Sequence, residues 1–153
     1  MNNKADVIDF VRNSVGKCSN SKIYFGKISD LIADKIENEI DINIKNYNLS
    51  LKSDSVKHIL NNHSNKKELL RGQIPIVEKD FQLIPNIVSN YDKVYKAGLT
   101  KQGKCVITFE KVIGDKYYLV NNVSDKKHTL EVHTMYKHKK KNFATASNAK
   151  SLD

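Results

Sequence analysis

The feature that most constrains this chain is a change of hydrophobic period near residue 92. Beyond it, four segments alternate apolar and polar residues: 92–97 (DKVYKA), 104–112 (KCVITFEKV), 116–123 (KYYLVNNV) and 128–136 (HTLEVHTMY). Gly103, Gly114-Asp115 and Ser124-Asp125 separate them. Alternation puts one set of side chains on each face of a pleated strand, and short turns join strands that run antiparallel. The second half of the chain therefore reads as a four-stranded antiparallel meander.

The first half has helical spacing. Residues 4–15 place Val7, Ile8, Phe10, Val11 and Val15 near one face, Asp6 and Asp9 near the helix start, and Gly16 at the stop. Residues 17–22 (KCSNSK) are polar and loop-like. A second helix starts at Ser29, with Asp30 in its first turn and Leu31, Ile32, Ile36 and Ile40 at helical intervals. NYNLSLKSD (46–54) reads as a short extended piece, and Ser53 then caps a helix running through KHILNNH (57–63). Pro75 precedes a third helical stretch, 77–90, which Pro85 kinks or divides. Helices followed by an antiparallel sheet make an α+β domain over residues 1–141. Residues 142–153 are polar and small, with an expected disordered end.

The 153 residues suffice for one core and are short for two. A formal net charge of +9 points to an anionic partner. Cys18 and Cys105 stand far apart, so no disulfide framework is expected, and Cys105 reads as a core thiol. No apolar run is long enough to span a bilayer, so no membrane insertion is expected. No signal-peptide pattern opens the chain, so any export would use a larger carrier.

Two elements carry chemistry out of the core. The helix 57–63 has an apolar face through Val56, Ile59 and Leu60 that ends on His63. A helix C-terminus favours an imidazolium, which suits a general acid or a phosphate-facing cation. His58 lies about 140° away, on the polar side. On the last strand the even-numbered face runs through Leu130 and Val132, then turns polar at Thr134 and Tyr136. Their hydroxyls would sit ~7 Å apart, the reach of one phosphate group. Arg71 has the planar fork for bidentate phosphate contact and follows the histidine helix by a short loop. Lys137, Lys139 and Lys140 directly follow Tyr136 and can steer phosphate. Each of these has a plainer reading as a core-edge histidine, a strand-former, a loop arginine or a solvated basic run.

Metal chemistry has little support. His58 and His63 lack the i, i+4 spacing of a zinc helix. His128, His133 and His138 are evenly spaced, but His128 and His133 face opposite sides of a strand. No cofactor is expected, and no nucleophile-elbow pattern marks a serine hydrolase.

The run of IYFGKISDLIADKI, SDSVKHILNNH, RGQIPIVEKDFQLIPNIVSNYDKV, a meander and LEVHTMYKHKKK resembles the phage-borne members of the barnase–EndoU–colicin–RelE superfamily of nuclease toxins. The likeness covers about residues 22–141. It implies helices on a four-stranded antiparallel sheet, an active site at the sheet face, and metal-independent RNA cleavage. Carried onto this chain, it points to His58 and His63 in the helix, Thr134 and Tyr136 in the last strand and, less closely, Arg71. It also implies an RNA partner, with tRNA a candidate, and an acidic immunity or antitoxin protein. The domain is expected to be a monomer acting in the bacterial cytoplasm, delivered by a phage particle or a secretion system within a larger protein. The rival readings are a non-catalytic nucleic-acid-binding module and a phage structural or interaction domain.

Overall fold

Capping and apolar spacing set the helices. A computed structural model describes residues 4–16, 20–63 and 72–140. Cys18, Arg71, Lys141 and residues 142–153 lie outside them, as do residues 64–70. Helix α1 spans Lys4–Gly16 and buries Val7 and Val11. Helix α2 spans Asp30–Ile40, and its Ser29 Oγ accepts the Ile32 N–H at 3.3 Å, as an N-cap should. Helix α3, Ser53–His63, buries Val56 and Ile59. Pro85 divides the third helical stretch. A 3₁₀ helix at Glu78–Leu83 passes to a short α4, Ile84–Ser89, with Pro85 in the first turn, where no N–H is needed.

The four expected strands are present as β4 (Lys93–Leu99), β5 (Cys105–Ile113), β6 (Asp115–Ser124) and β7 (Thr129–His138), paired antiparallel in sequence order. Gly103 and Gly114 sit in two of the turns at φ of 81° and 73°, where a side chain would strain the backbone. The sheet is wider than the sequence implies. Strands β1 (Lys22–Lys27), β2 (Asn48–Lys52) and β3 (Gln73–Ile74) extend it to seven, in the order β1-β2-β7-β6-β5-β4, with β3 also on β7. Strand β2 runs parallel to β7, so the sheet is mixed.

One face of the sheet holds the core. Phe25, Leu51, Ile107, Phe109, Leu119, Val132 and Met135 are buried there with Ile36, Ile59, Phe81 and Ile87 from the helices. Cys105 is partly buried against this cluster. The opposite face carries the alternate residues of each strand, many of them half-exposed. Helices on one side and, on the other, a sheet face left uncovered by the described helices make an α+β domain.

Candidate active site

A β-bulge in β7 decides which residues reach the uncovered face. The β6–β7 register shifts between Val120, paired with Thr134, and Asn121, paired with Val132. His133 is the extra residue. Leu130 and Val132 therefore face the core before the bulge, and Met135 and Lys137 face it afterwards. This corrects the expectation that Leu130, Val132, Thr134 and Tyr136 share one face. Thr134 and Tyr136 lie on the uncovered face, because one inserted residue inverts the alternation.

There, Tyr136 stacks on Tyr118 with ring centroids 4.8 Å apart and planes 11° apart. His138 stands at the edge of both rings, 5.2 Å from Tyr118 and 5.9 Å from Tyr136. On the next strand Glu110 is buried, yet its Oε1 lies 3.1 Å from Lys116 Nζ. The same ammonium sits 5.5 Å from the Tyr118 ring. Tyr95 bonds Glu110 as well, and burial plus that bond push its phenol up to about 12. The hydrogen bond that Lys116 donates to Glu110 raises the lysine's pKa. Burial chiefly, then Tyr118 and Glu110, raise that of Tyr136, so the phenol keeps its proton and can donate it in a hydrogen bond. Thr134 Oγ1 is buried and has no hydrogen-bond partner among the described residues. A carboxylate, an ammonium, an imidazole and two hydroxyl groups thus surround one aromatic stack.

Helix α3 approaches β7 from the other side. His58 is exposed, in line with its polar side of the wheel, but its ring lies 5.7 Å from that of His133. Asn62, one turn on, places its Nδ2 3.0 Å from His58 Nδ1. The contact falls where β7 has no paired strand on this edge among the described residues, since β2 pairs up to Val132 and β3 pairs from Lys137. His63 closes α3.

The three lysines after Tyr136 separate. Lys137 is buried on the core face, 3.0 Å from Asp80 Oδ2, so its charge is neutralised within the fold. Lys139 and Lys140 are exposed. Among the described residues no three His, Cys, Asp or Glu side chains converge as a metal site. Sequence reasoning passed over Glu110, Lys116 and Tyr118, and weighed His138 only as a metal ligand or part of a basic run. The available signal was an acidic residue inside the apolar strand CVITFEKVI.

A family model described as phage-Barnase-EndoU-ColicinE5/D-RelE like nuclease3 matches residues 26–144. No curated protein and no solved structure matches the chain. The matched span takes in the whole of α2 through β7, including every residue around the Tyr118–Tyr136 stack.

Proposed function

The chain belongs to the phage barnase–EndoU–colicin E5/D–RelE-like nuclease family, and from that premise we propose that it is a metal-independent endoribonuclease that cuts on the uncovered sheet face. The observation that carries this reading is the grouping of Glu110, Lys116, Thr134, Tyr136 and His138 around one aromatic stack.

Cleavage of RNA without a metal needs a proton acceptor, a proton donor and hydrogen-bond donors for the phosphorane. Glu110 accepts the proton of the ribose 2′-OH as its oxygen bonds to phosphorus. The P–O5′ bond breaks, and His138 delivers a proton to the departing 5′-oxygen. The products are a 2′,3′-cyclic phosphate and a 5′-hydroxyl. Lys116, Thr134 and Tyr136 donate to the non-bridging oxygens, and the exposed side of the stack holds a base. Arg71, Lys139 and Lys140 are kept as phosphate contacts.

A second assignment of the proton-transfer groups rests on the 5.7 Å approach of His58 to His133. In it, His58 and His63 supply acid and base from α3, and Asn62 orients His58. As a toxin acting in the bacterial cytoplasm, the domain would need an inhibitor in its producer. The +9 chain suits an acidic immunity or antitoxin protein.

The test is incubation of purified protein with total RNA in EDTA, followed by end-group analysis. Expected are fragments ending in 2′,3′-cyclic phosphate and no cutting where the 2′-OH is absent. Efficient cutting of DNA, or activity lost to EDTA and restored by zinc or magnesium, would overturn the reading.

A further inference from the structure

The uncovered face continues beyond the Tyr118–Tyr136 stack. Four residues along β6 from Tyr118, Asn122 pairs with Glu131. Glu131 pairs with Ser50 of β2, and Ser50 with Tyr24 of β1. By the alternation of each strand, these side chains share the face of Thr134 and Tyr136.

At this end Glu131 is buried, and its Oε2 lies 3.1 Å from Lys52 Nζ and 3.9 Å from Lys22 Nζ. Burial works to raise the Glu131 pKa. The Lys52 hydrogen bond and the charges of Lys52, Lys22 and Lys127 overcome it and hold the carboxyl below its usual range. One carboxylate thus holds two ammonium groups close together with a third nearby. Lys22, Lys52 and Lys127, with Asn20, Ser21 and Asp54, line a cleft of about 270 Å³. Three cations exceed the carboxylates of Glu131 and Asp54, so the cleft keeps a net positive charge. Tyr24 stands beside it, 47% exposed, with Lys22 Nζ 5.5 Å from its ring. A large exposed aromatic next to a concave basic pocket is the pairing that binds a base and its phosphate.

Strand spacing puts Tyr24 about 16 Å from Tyr136, beyond the reach of a nucleotide seated on the stack. We propose that Tyr24, Lys22, Lys52 and Lys127 form a second nucleotide subsite. It takes a phosphate of single-stranded RNA away from the scissile bond and stacks a base of that strand on Tyr24. This inference rests on the ribonuclease reading above. Glu131 sets the spacing of Lys22 and Lys52, whose mutual repulsion would otherwise drive them apart.

Tyr24→Ala and Lys127→Ala test it, since both leave the Lys22–Glu131–Lys52 bridge in place. Binding of a 2′-O-methyl RNA decamer is read by fluorescence anisotropy. Each variant should bind roughly 5- to 10-fold more weakly than wild type, from one lost stack or one lost phosphate contact. Cleavage of an RNA decamer should weaken through KM, with kcat/KM for a dinucleotide unchanged. Wild-type decamer affinity in both variants would overturn the subsite, as would equal losses on decamer and dinucleotide. If the variants lose affinity but wild type cuts no RNA, the subsite stands and the ribonuclease reading falls.

Discussion

The ammonium of Lys137 lies 3.0 Å from Asp80 Oδ2, and the Tyr117 hydroxyl donates to Asp80 Oδ1 at 2.5 Å. All three residues are buried. Burial, then the bond to Asp80, raise the Tyr117 pKa and keep the phenol protonated as a donor. The triad ties β6 and β7 to the 3₁₀ helix under the sheet. A buried ion pair contributes modestly as a pair, but losing one partner strands the other in a medium that solvates it poorly. Lys137→Ala should therefore lower unfolding free energy by ~3–5 kcal/mol. Lys137→Met combined with Asp80→Asn should recover part of that loss. Urea denaturation measures both. If Lys137→Ala instead keeps full stability and flattens the salt dependence of RNA binding, the lysine belongs to the substrate.

The sheet-face chemistry makes its own prediction. Glu110→Gln and His138→Ala should each lower kcat by about 10²–10⁴-fold, the span of a positioned acid or base. Tyr136→Phe should cost less, because the ring stack survives and one hydroxyl is lost. Steady-state cleavage of a defined RNA, with circular dichroism as a folding control, separates these. Full activity in folded Glu110→Gln would remove the carboxylate from the reaction.

The meander was legible because alternation and turn glycines mark it locally, as at Gly103 and Gly114. The α2 cap was legible because Ser29 precedes an apolar helical stripe. What escaped depends on long-range pairing. KIYFGK alone gives no sign that it will pair with β2, nor NLSLK that it will lie parallel to β7. The bulge at His133 is invisible in LEVHTMY, and it alone decides that Tyr136 meets Tyr118 rather than the core. Tyr136 and Thr134 were singled out by residue type, on a face that the bulge then reassigned. Glu110 and Lys116 were missed because their meeting is made across the β5–β6 register. Lys137 was misplaced by the same inversion, since a basic run gives no hint that one member turns inward to Asp80.

Glu131 gives a prediction in pH. Its folded pKa is depressed, so its contribution is fully present above the ordinary value of 4.5 and is lost as pH falls through the folded value. Stability should therefore decline below about pH 4.5, and Glu131→Gln should flatten that decline. Asp92, held low chiefly by the Val112 backbone N–H, should keep a remaining slope in the variant. At pH 7 the variant should lose about 1–2 kcal/mol, a figure kept small because Lys52 is partly in solvent. Denaturant titrations between pH 3 and 7 check this. An unchanged acid slope in Glu131→Gln would show that the carboxylate is not held low.

The two histidines of α3 decide where proton transfer occurs. If the sheet face carries it, His58→Ala should reduce kcat less than tenfold, roughly the cost of a lost binding or positioning contact. His138→Ala should then be the severe variant, and His63→Ala should track His58→Ala. If α3 supplies the acid and base, the order inverts. His58→Ala and His63→Ala would each fall by about 10²–10⁴-fold, and His138→Ala would be mild. Asn62→Ala adds a finer discrimination, because Asn62 lies against His58, its Nδ2 3.0 Å from the ring Nδ1. In the α3 case it should lower kcat with KM unchanged, and it should add nothing to His58→Ala. An RNA analogue with a good leaving group at the 5′-oxygen identifies the acid, since it no longer needs a proton. Loss of the acid should be largely rescued on that substrate and loss of the base should not. The sheet-face assignment requires rescue of His138→Ala. Rescue of His58→Ala or His63→Ala instead would move the acid to the helix.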